Sequence, residues 1–326
     1  MKQVIKDSIK QLEFDPIVEN AERLFSTKNF IVSGMGGSHL AADLIKTWRP
    51  SINLIIHHDY GLPSLSSNIK NYLTIISSFS GNTEEAIDGF NEAVSKKIPL
   101  ACVSTGGKLL DLAIEYKKPY IKIPDIGIKP RSGLGFSMVS LLKLMGEEGA
   151  LLDIKKTAAN INMNKAEKEG KTLAKKLQNF IPIIYSSARN GSIAFNWKIR
   201  FNETGKVPSF YNTFPELNHN EIVGFNREKS TKKLSNYFYF IFLKDIDDHP
   251  RVKLRMDVLK EIYKKKELPV KEYELKGNNI WEKIFSSLFL ADWAAYYTAM
   301  EYNLNAQETE IIDRFKKIMN EKGSLL

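Results

Sequence analysis

The chain has 326 residues, enough for two domains with cores of their own. Apolar residues make up 43% and charged residues 26%, the ordinary balance of a soluble globular protein. The net charge of +9 sits in the second half: residues 1–150 hold 17 basic and 16 acidic side chains, the rest 30 and 22. These lysines are interspersed with acids, as in Lys165-Ala166-Glu167-Lys168-Glu169, the pattern of a solvated helix face rather than of a nucleic-acid surface. Cys102, the only cysteine, lies in an apolar run and has no internal disulfide partner. The first residues lack the apolar stretch of a signal peptide, and no apolar run approaches the length needed to span a membrane. A cytoplasmic protein without a membrane partner is expected.

In chain order, residues 1–27 read as one or two amphipathic helices. A strand over 29–33 enters the tight turn Gly34-Met35-Gly36-Gly37-Ser38, and a helix runs from His39 to Thr47. A second strand spans 52–56 and a third 72–76. The third ends in Ser77-Ser78-Phe79-Ser80-Gly81-Asn82-Thr83, ahead of a helix over 83–96 with Glu84 and Glu85 in its first turn. A strand over 99–103, the turn Ser104-Thr105-Gly106-Gly107, a helix to about Tyr116, a strand over 120–123 and a helix over 133–148 complete this half. Residues 150–176 read as a polar helical linker. A second alternation follows: strand 181–185, helix 192–203, extended 207–211, a polar turn at 215–220, strand 237–243, helix 250–265, strand 269–274, helix 281–301, and a basic amphipathic helix over 307–320. Such alternation predicts an α/β fold of two doubly wound domains, 1–150 and 151–326, with mainly parallel sheets flanked by helices. Ligands in such sheets bind at the carboxyl ends of the strands.

The hydroxyls of Ser78, Ser80 and Thr83 fall in a strand-to-helix turn, where free backbone N–H groups and the helix dipole favour an anion. No lysine stands in the turn, so one monoester phosphate is the expected ligand; a plain capping turn is the alternative. The turn Gly36-Gly37-Ser38 fails the G-x-G-x-x-G fingerprint, because His39 holds the third glycine position, and no P-loop follows. It suits a second wall of a small anion or sugar site. Glu203 closes a helix where the dipole disfavours a carboxylate, His219 stands in a polar loop, and Lys316 lies on the last helix. The histidine spacing provides no metal motif, and neither metal nor cofactor is expected.

Gly34-Met35-Gly36-Gly37-Ser38, Ser78-Phe79-Ser80-Gly81-Asn82-Thr83-Glu84-Glu85, Thr105-Gly106-Gly107 and Pro130-Arg131 together resemble the sugar isomerase (SIS) domain. Phe201-Asn202-Glu203, Pro215-Glu216-Leu217-Asn218-His219-Asn220 and Thr309 to Lys316 extend the resemblance, in order and over essentially the whole length, to the bifunctional phosphoglucose/phosphomannose isomerases. The resemblance implies metal-free aldose–ketose isomerisation of a 6-phosphosugar by a homodimer with sites at the subunit interface. Ser38, Ser78, Ser80 and Thr83 would hold the phosphate, and Glu203 would move the proton between carbons 2 and 1 through a cis-enediol. Arg131 would stabilise the enediolate, His219 of the partner subunit and Lys316 would open the ring, and Thr309 would leave room for the enediol to rotate. The chain departs from the family's usual Thr-Pro-Arg at Thr309-Glu310-Ile311, and has Asn218-His219 where a histidine pair is usual. The alternatives are an isomerase of another phosphosugar and a sugar-phosphate sensor without catalysis. A sensor needs no base at Glu203 and usually carries a DNA-binding domain, of which the first 27 residues give no sign.

Overall fold

The computed structural model describes residues 1–65 and 67–323, so the last three residues of the expected second domain lie outside the described residues. The amino-terminal segment is one short helix, α1 (Lys2–Asp7), continued by a 3-10 run over Ser8–Glu13 that buries Gln11 and Leu12. The first alternation is β1 (Asn29–Ser33), α2 (Leu40–Trp48), β2 (Asn53–His57), β3 (Leu73–Ser77), α3 (Glu84–Ser95), β4 (Leu100–Ser104), α4 (Gly107–Glu115), β5 (Tyr120–Lys122) and α5 (Leu134–Leu144). Its strands are all parallel, in the order β2-β1-β3-β4-β5. Ile31, Val32, Ile75, Ile76, Ala101 and Ile121 are fully buried, as strands covered on both faces require. The same burial encloses the Cys102 side chain.

Next come α6 (Glu148–Asn160) and α7 (Met163–Lys176). They correct the expectation of a linker. Ala166, Gly170, Leu173 and Ala174 recur at helical spacing and are buried, with α7 packed along the last long helix of the core. The lysines around that narrow stripe hide it from a reading of average polarity. The second alternation is β6 (Ile181–Ser187), α8 (Gly191–Arg200), β7 (Phe210–Phe214), α9 (Glu221–Gly224), β8 (Phe238–Lys244), α10 (Pro250–Lys265), β9 (Val270–Glu274) and α11 (Ile280–Glu301), and α12 (Glu310–Gly323) follows. Its parallel strands are ordered β7-β6-β8-β9.

One hydrophobic cluster runs through both sheets, from Phe30 and Val32 to Ile184 and Ile241, with α11 supplying Ile284, Leu288, Ala291 and Trp293 between them. The two sheets are therefore held in a fixed relation by shared apolar packing. The last helix differs. Every residue of α12 whose side chain is described is exposed, including Ile311 at 82% and Phe315 at 64%. No helix among the described residues is long and apolar enough to cross a membrane.

Candidate active site

The turn after β3 is drawn together by its own hydroxyls. Ser78 Oγ lies 2.8 Å from Thr83 Oγ1 and accepts the Gly81 N–H at 3.1 Å, while Ser80 Oγ accepts the Asn82 N–H at 3.3 Å. Thr83 stands at the N-cap of α3, yet its side chain caps none of the helix N–H groups. The first-turn donors are thus left to another acceptor, which departs from a plain capping turn. Ser78 is fully buried beneath this surface, whereas Ser80 is exposed and Thr83 half-buried. Gly81 has φ +72°, and a Cβ there would lie 1.7 Å from the Gly106 carbonyl oxygen. That closeness joins the turns after β3 and β4: Thr105 donates its N–H and its hydroxyl to the Phe79 carbonyl at 3.0 and 2.7 Å.

The turn after β1 is fastened to the same place. Ser38 is buried, and its Oγ accepts the Phe79 N–H at 3.0 Å. Gly36 takes φ +52°. Gly37 lets the chain pass close to Arg131, since a Cβ on it would meet the Pro130–Arg131 peptide at 3.1–3.2 Å. Arg131 is thereby set beside the turn after β1.

The Arg131 side chain crosses to the second half. Its Nε donates to Thr204 Oγ1 at 3.2 Å, Nη1 faces Glu203 Oε2 at 3.5 Å, and Nη2 donates to the carbonyls of Ala306 at 2.9 Å and Gln307 at 3.4 Å. Only 5% of the Arg131 side chain is exposed, against 30% for Glu203, so the cation is fixed and the carboxylate is open to a ligand. Burial draws the Arg131 guanidinium below its ordinary pKa, against the pull of Glu203 and Asp292, but leaves it charged.

Glu203 does not end a regular helix. After α8 the backbone widens into a π turn, Phe201–Gly205, closed by the Lys206 N–H on the Phe201 carbonyl. Two buried contacts anchor this turn. Phe201 packs in the core, and Arg200, one residue earlier, donates from Nε to Asp292 on α11 at 2.7 Å. Burial pushes the Asp292 carboxyl up while Arg200 pulls it down. Next to Glu203, Asn202 Oδ1 is buried without a hydrogen-bond partner among the described residues. A cleft of about 570 Å³ lined by Lys198, Asn202, Lys206 and Phe210 opens beside it.

The remaining expected residues are His219 and Lys316, which the fold leaves exposed, and Thr309, close in the chain to the Ala306 and Gln307 carbonyls that Arg131 takes. His219 is exposed at the end of the 3-10 turn Glu216–His219, which is anchored by buried Leu217, and Lys316 is exposed on α12. Among the described residues neither bonds to Glu203 or Arg131. Thr309 stands just before α12 and donates its hydroxyl to Asp313 at 3.3 Å. Sequence reasoning overlooked Thr204, Lys206, Arg200 and Asp292; the only local signal was a lysine directly after glycine at a helix end. It also overlooked His39, whose Nδ1 lies 2.7 Å from Asp43 and whose ring stacks on His58 and Phe195. Among the described residues no group of three or more His, Cys, Asp or Glu is placed to hold a metal ion.

A buried arginine facing a half-open carboxylate, next to a hydroxyl-lined helix N-terminus, can hold a phosphate at one end of a small molecule and handle a proton and an oxyanion at the other. Comparison with known proteins gives the family. Residues 166–319 match the bacterial phospho-glucose isomerase C-terminal SIS domain. The bifunctional phosphoglucose/phosphomannose isomerase of Aquifex aeolicus is 32% identical over 96% of both chains. The chain belongs to the bifunctional phosphoglucose/phosphomannose isomerase family. The family protein of Caldicellulosiruptor bescii is 33% identical over 89% of each chain. A hypothetical protein from Thermus thermophilus shares the fold with a TM-score of 0.69 at 13% identity, covering 98% of this chain and 88% of its own. Family membership makes the protein an enzyme, an isomerase built on the SIS fold, and its two parallel α/β sheets are that fold.

Proposed function

We propose that the protein interconverts fructose 6-phosphate with glucose 6-phosphate and mannose 6-phosphate, without a metal, through a cis-enediol. The observation that carries this reading is Arg131. It is held against Gly37 on the phosphate side, and its guanidinium reaches Glu203 from 72 residues away. In this reading the turns containing Gly36, Gly37, Ser38, Ser78, Ser80 and Thr83 bind the phosphate. Glu203 takes the proton from carbon 1 or 2 and returns it to the other. Arg131 meets the negative charge that develops on the enediol oxygens; a preorganised charged donor in a buried site is worth most there. One base serves both epimers if the enediol turns its other face, and in this reading Thr309 leaves the room for that turn.

His219 of the partner subunit and Lys316 open the sugar ring in this reading, which requires a homodimer. The exposed apolar face of α12, Ile311, Ile312 and Phe315, supports a second copy as its cover. A charged phosphosugar does not cross a membrane unaided, which supports a cytoplasmic location.

The test is conversion of fructose 6-phosphate by purified protein in EDTA, with the two aldose products separated, beside Glu203→Gln. Both products are expected from the parent, and a loss of at least about 100-fold for both from the variant. Equal activity in Glu203→Gln would remove Glu203 as the base. A single product would leave the base in place and end the reading of the space beside Thr309.

A further inference from the structure

Lys206 has no part in the mechanism above, yet it touches both the Glu203 turn and the segment before α12. Its backbone lies at φ +59° and ψ 28°, the left-handed region, where glycine is the residue without a penalty. Gly205 stands immediately before it, so the turn holds a glycine one position short of the strained one. Lys97, Lys117 and Glu267 take the same left-handed backbone just past α3, α4 and α10, so what sets Lys206 apart is its side chain. Its Nζ donates to the Glu203 carbonyl at 2.8 Å and to the Glu308 carbonyl.

The second contact belongs to a pattern. Arg131 takes the carbonyls of Ala306 and Gln307, and Lys206 takes the next, Glu308. Three consecutive carbonyls of the strap between α11 and α12 are thus gripped by two cations that both border Glu203. Thr309 follows at once, one peptide from the clamped carbonyl, and α12 with Lys316 follows Thr309. Burial and the charge of Arg131 draw the Lys206 pKa down, as expected of an ammonium held inside the cluster rather than loose in solvent.

We propose that Lys206 is a positioning residue: by bridging the Glu203 and Glu308 carbonyls it fixes Thr309 relative to the base, and so sets the ratio in which the two aldose phosphates are made. The ratio rests on the function proposed above; the bridge itself does not. A long cationic side chain is required because one group must donate to two carbonyl oxygens from different segments.

The experiment compares Lys206→Met, Lys206→Arg and Lys206→Gly with the parent in two readouts. One is amide hydrogen exchange over residues 305–309; the other is the ratio of initial rates from fructose 6-phosphate to each aldose phosphate. Lys206→Met is expected to speed exchange in the strap at least tenfold and to change the product ratio at least threefold, with a higher KM. Lys206→Arg, which keeps two donors, restores both readouts toward the parent. Lys206→Gly relieves the backbone and is expected to melt within a few degrees of the parent while still changing the ratio, which separates positioning from folding. Unchanged strap exchange in both Met and Gly variants overturns the bridge. Faster exchange with an unchanged ratio overturns its role in epimer choice. If the parent makes neither product, the function proposed above fails, and the exchange readout still decides the bridge.

Discussion

Replacing Thr204 by valine removes one hydroxyl and almost no volume. In the folded protein that hydroxyl accepts the Arg131 Nε–H at 3.2 Å, and Thr204 itself is 1% exposed. The loss leaves a charged donor buried without a partner. A hydrogen bond to a charged group contributes about 1.5–3 kcal/mol, and an unsatisfied buried donor costs a similar amount. Arg131 keeps its carbonyl contacts at Ala306 and Gln307, so the side chain stays in place but loses the contact that sets the angle of the guanidinium plane. If that angle matters for the enediolate, the same energy is lost in the transition state. At 1.4 kcal/mol per factor of ten, kcat/KM falls by about 10- to 150-fold. Thr204→Ser keeps the hydroxyl and is expected to stay within about threefold of the parent. Steady-state conversion of fructose 6-phosphate and urea unfolding, run on the same preparations, measure the two effects. A valine variant that loses stability but keeps kcat/KM within twofold would refute the transition-state role of Arg131. A variant unchanged in both would show that the hydrogen bond contributes nothing in solution.

Three further outcomes are expected. Lys283→Met leaves Asp245, fully buried and 2.6 Å from the Lys283 ammonium, without its counter-charge, and is expected to cost about 3–5 kcal/mol in urea unfolding at pH 7. The Lys283 hydrogen bond also holds Asp247 below the ordinary carboxylate range; that contribution is present at neutral pH and lost as pH falls through the depressed value, so the variant should lose less stability on acidification than the parent. Gly81→Ala puts a Cβ 1.7 Å from the Gly106 oxygen at a positive φ, forcing the two phosphate-side turns apart; KM for fructose 6-phosphate should rise more than about tenfold, and an unchanged KM would place the phosphate elsewhere. Burial pushes the Cys102 thiol far up, so iodoacetamide at pH 8 should label it only as fast as the protein unfolds, and rapid stoichiometric labelling of native protein would contradict the buried position.

The elements were legible in the sequence because their causes are local. Phe30-Ile31-Val32 and Leu73-Thr74-Ile75-Ile76 are apolar runs bounded by small-residue turns, and they are strands. Glu84 and Glu85 open α3 as their charge favours. Average polarity misled at residues 150–176, where a narrow stripe of Ala166, Gly170 and Leu173 is enough to bury α7 under a coat of lysines. The motif residues Ser78, Arg131 and Glu203 could each be named from the chain, but Ser78 also read as part of a plain capping turn and Arg131 was named only through the family resemblance.

By itself, then, the sequence determined two parallel strand–helix alternations, their small-residue turns and the family they belong to, because periodicity, turn chemistry and motif order act within a few residues of chain. Only the tertiary structure decided that Arg131 meets Glu203 across 72 residues, that Thr204 and three strap carbonyls hold the two cations beside it, and that Lys206 bridges the Glu203 and Glu308 carbonyls. Those contacts depend on the packing of two sheets around α11 and on a π turn one residue wider than an α-helix, and neither leaves a periodic mark in the chain.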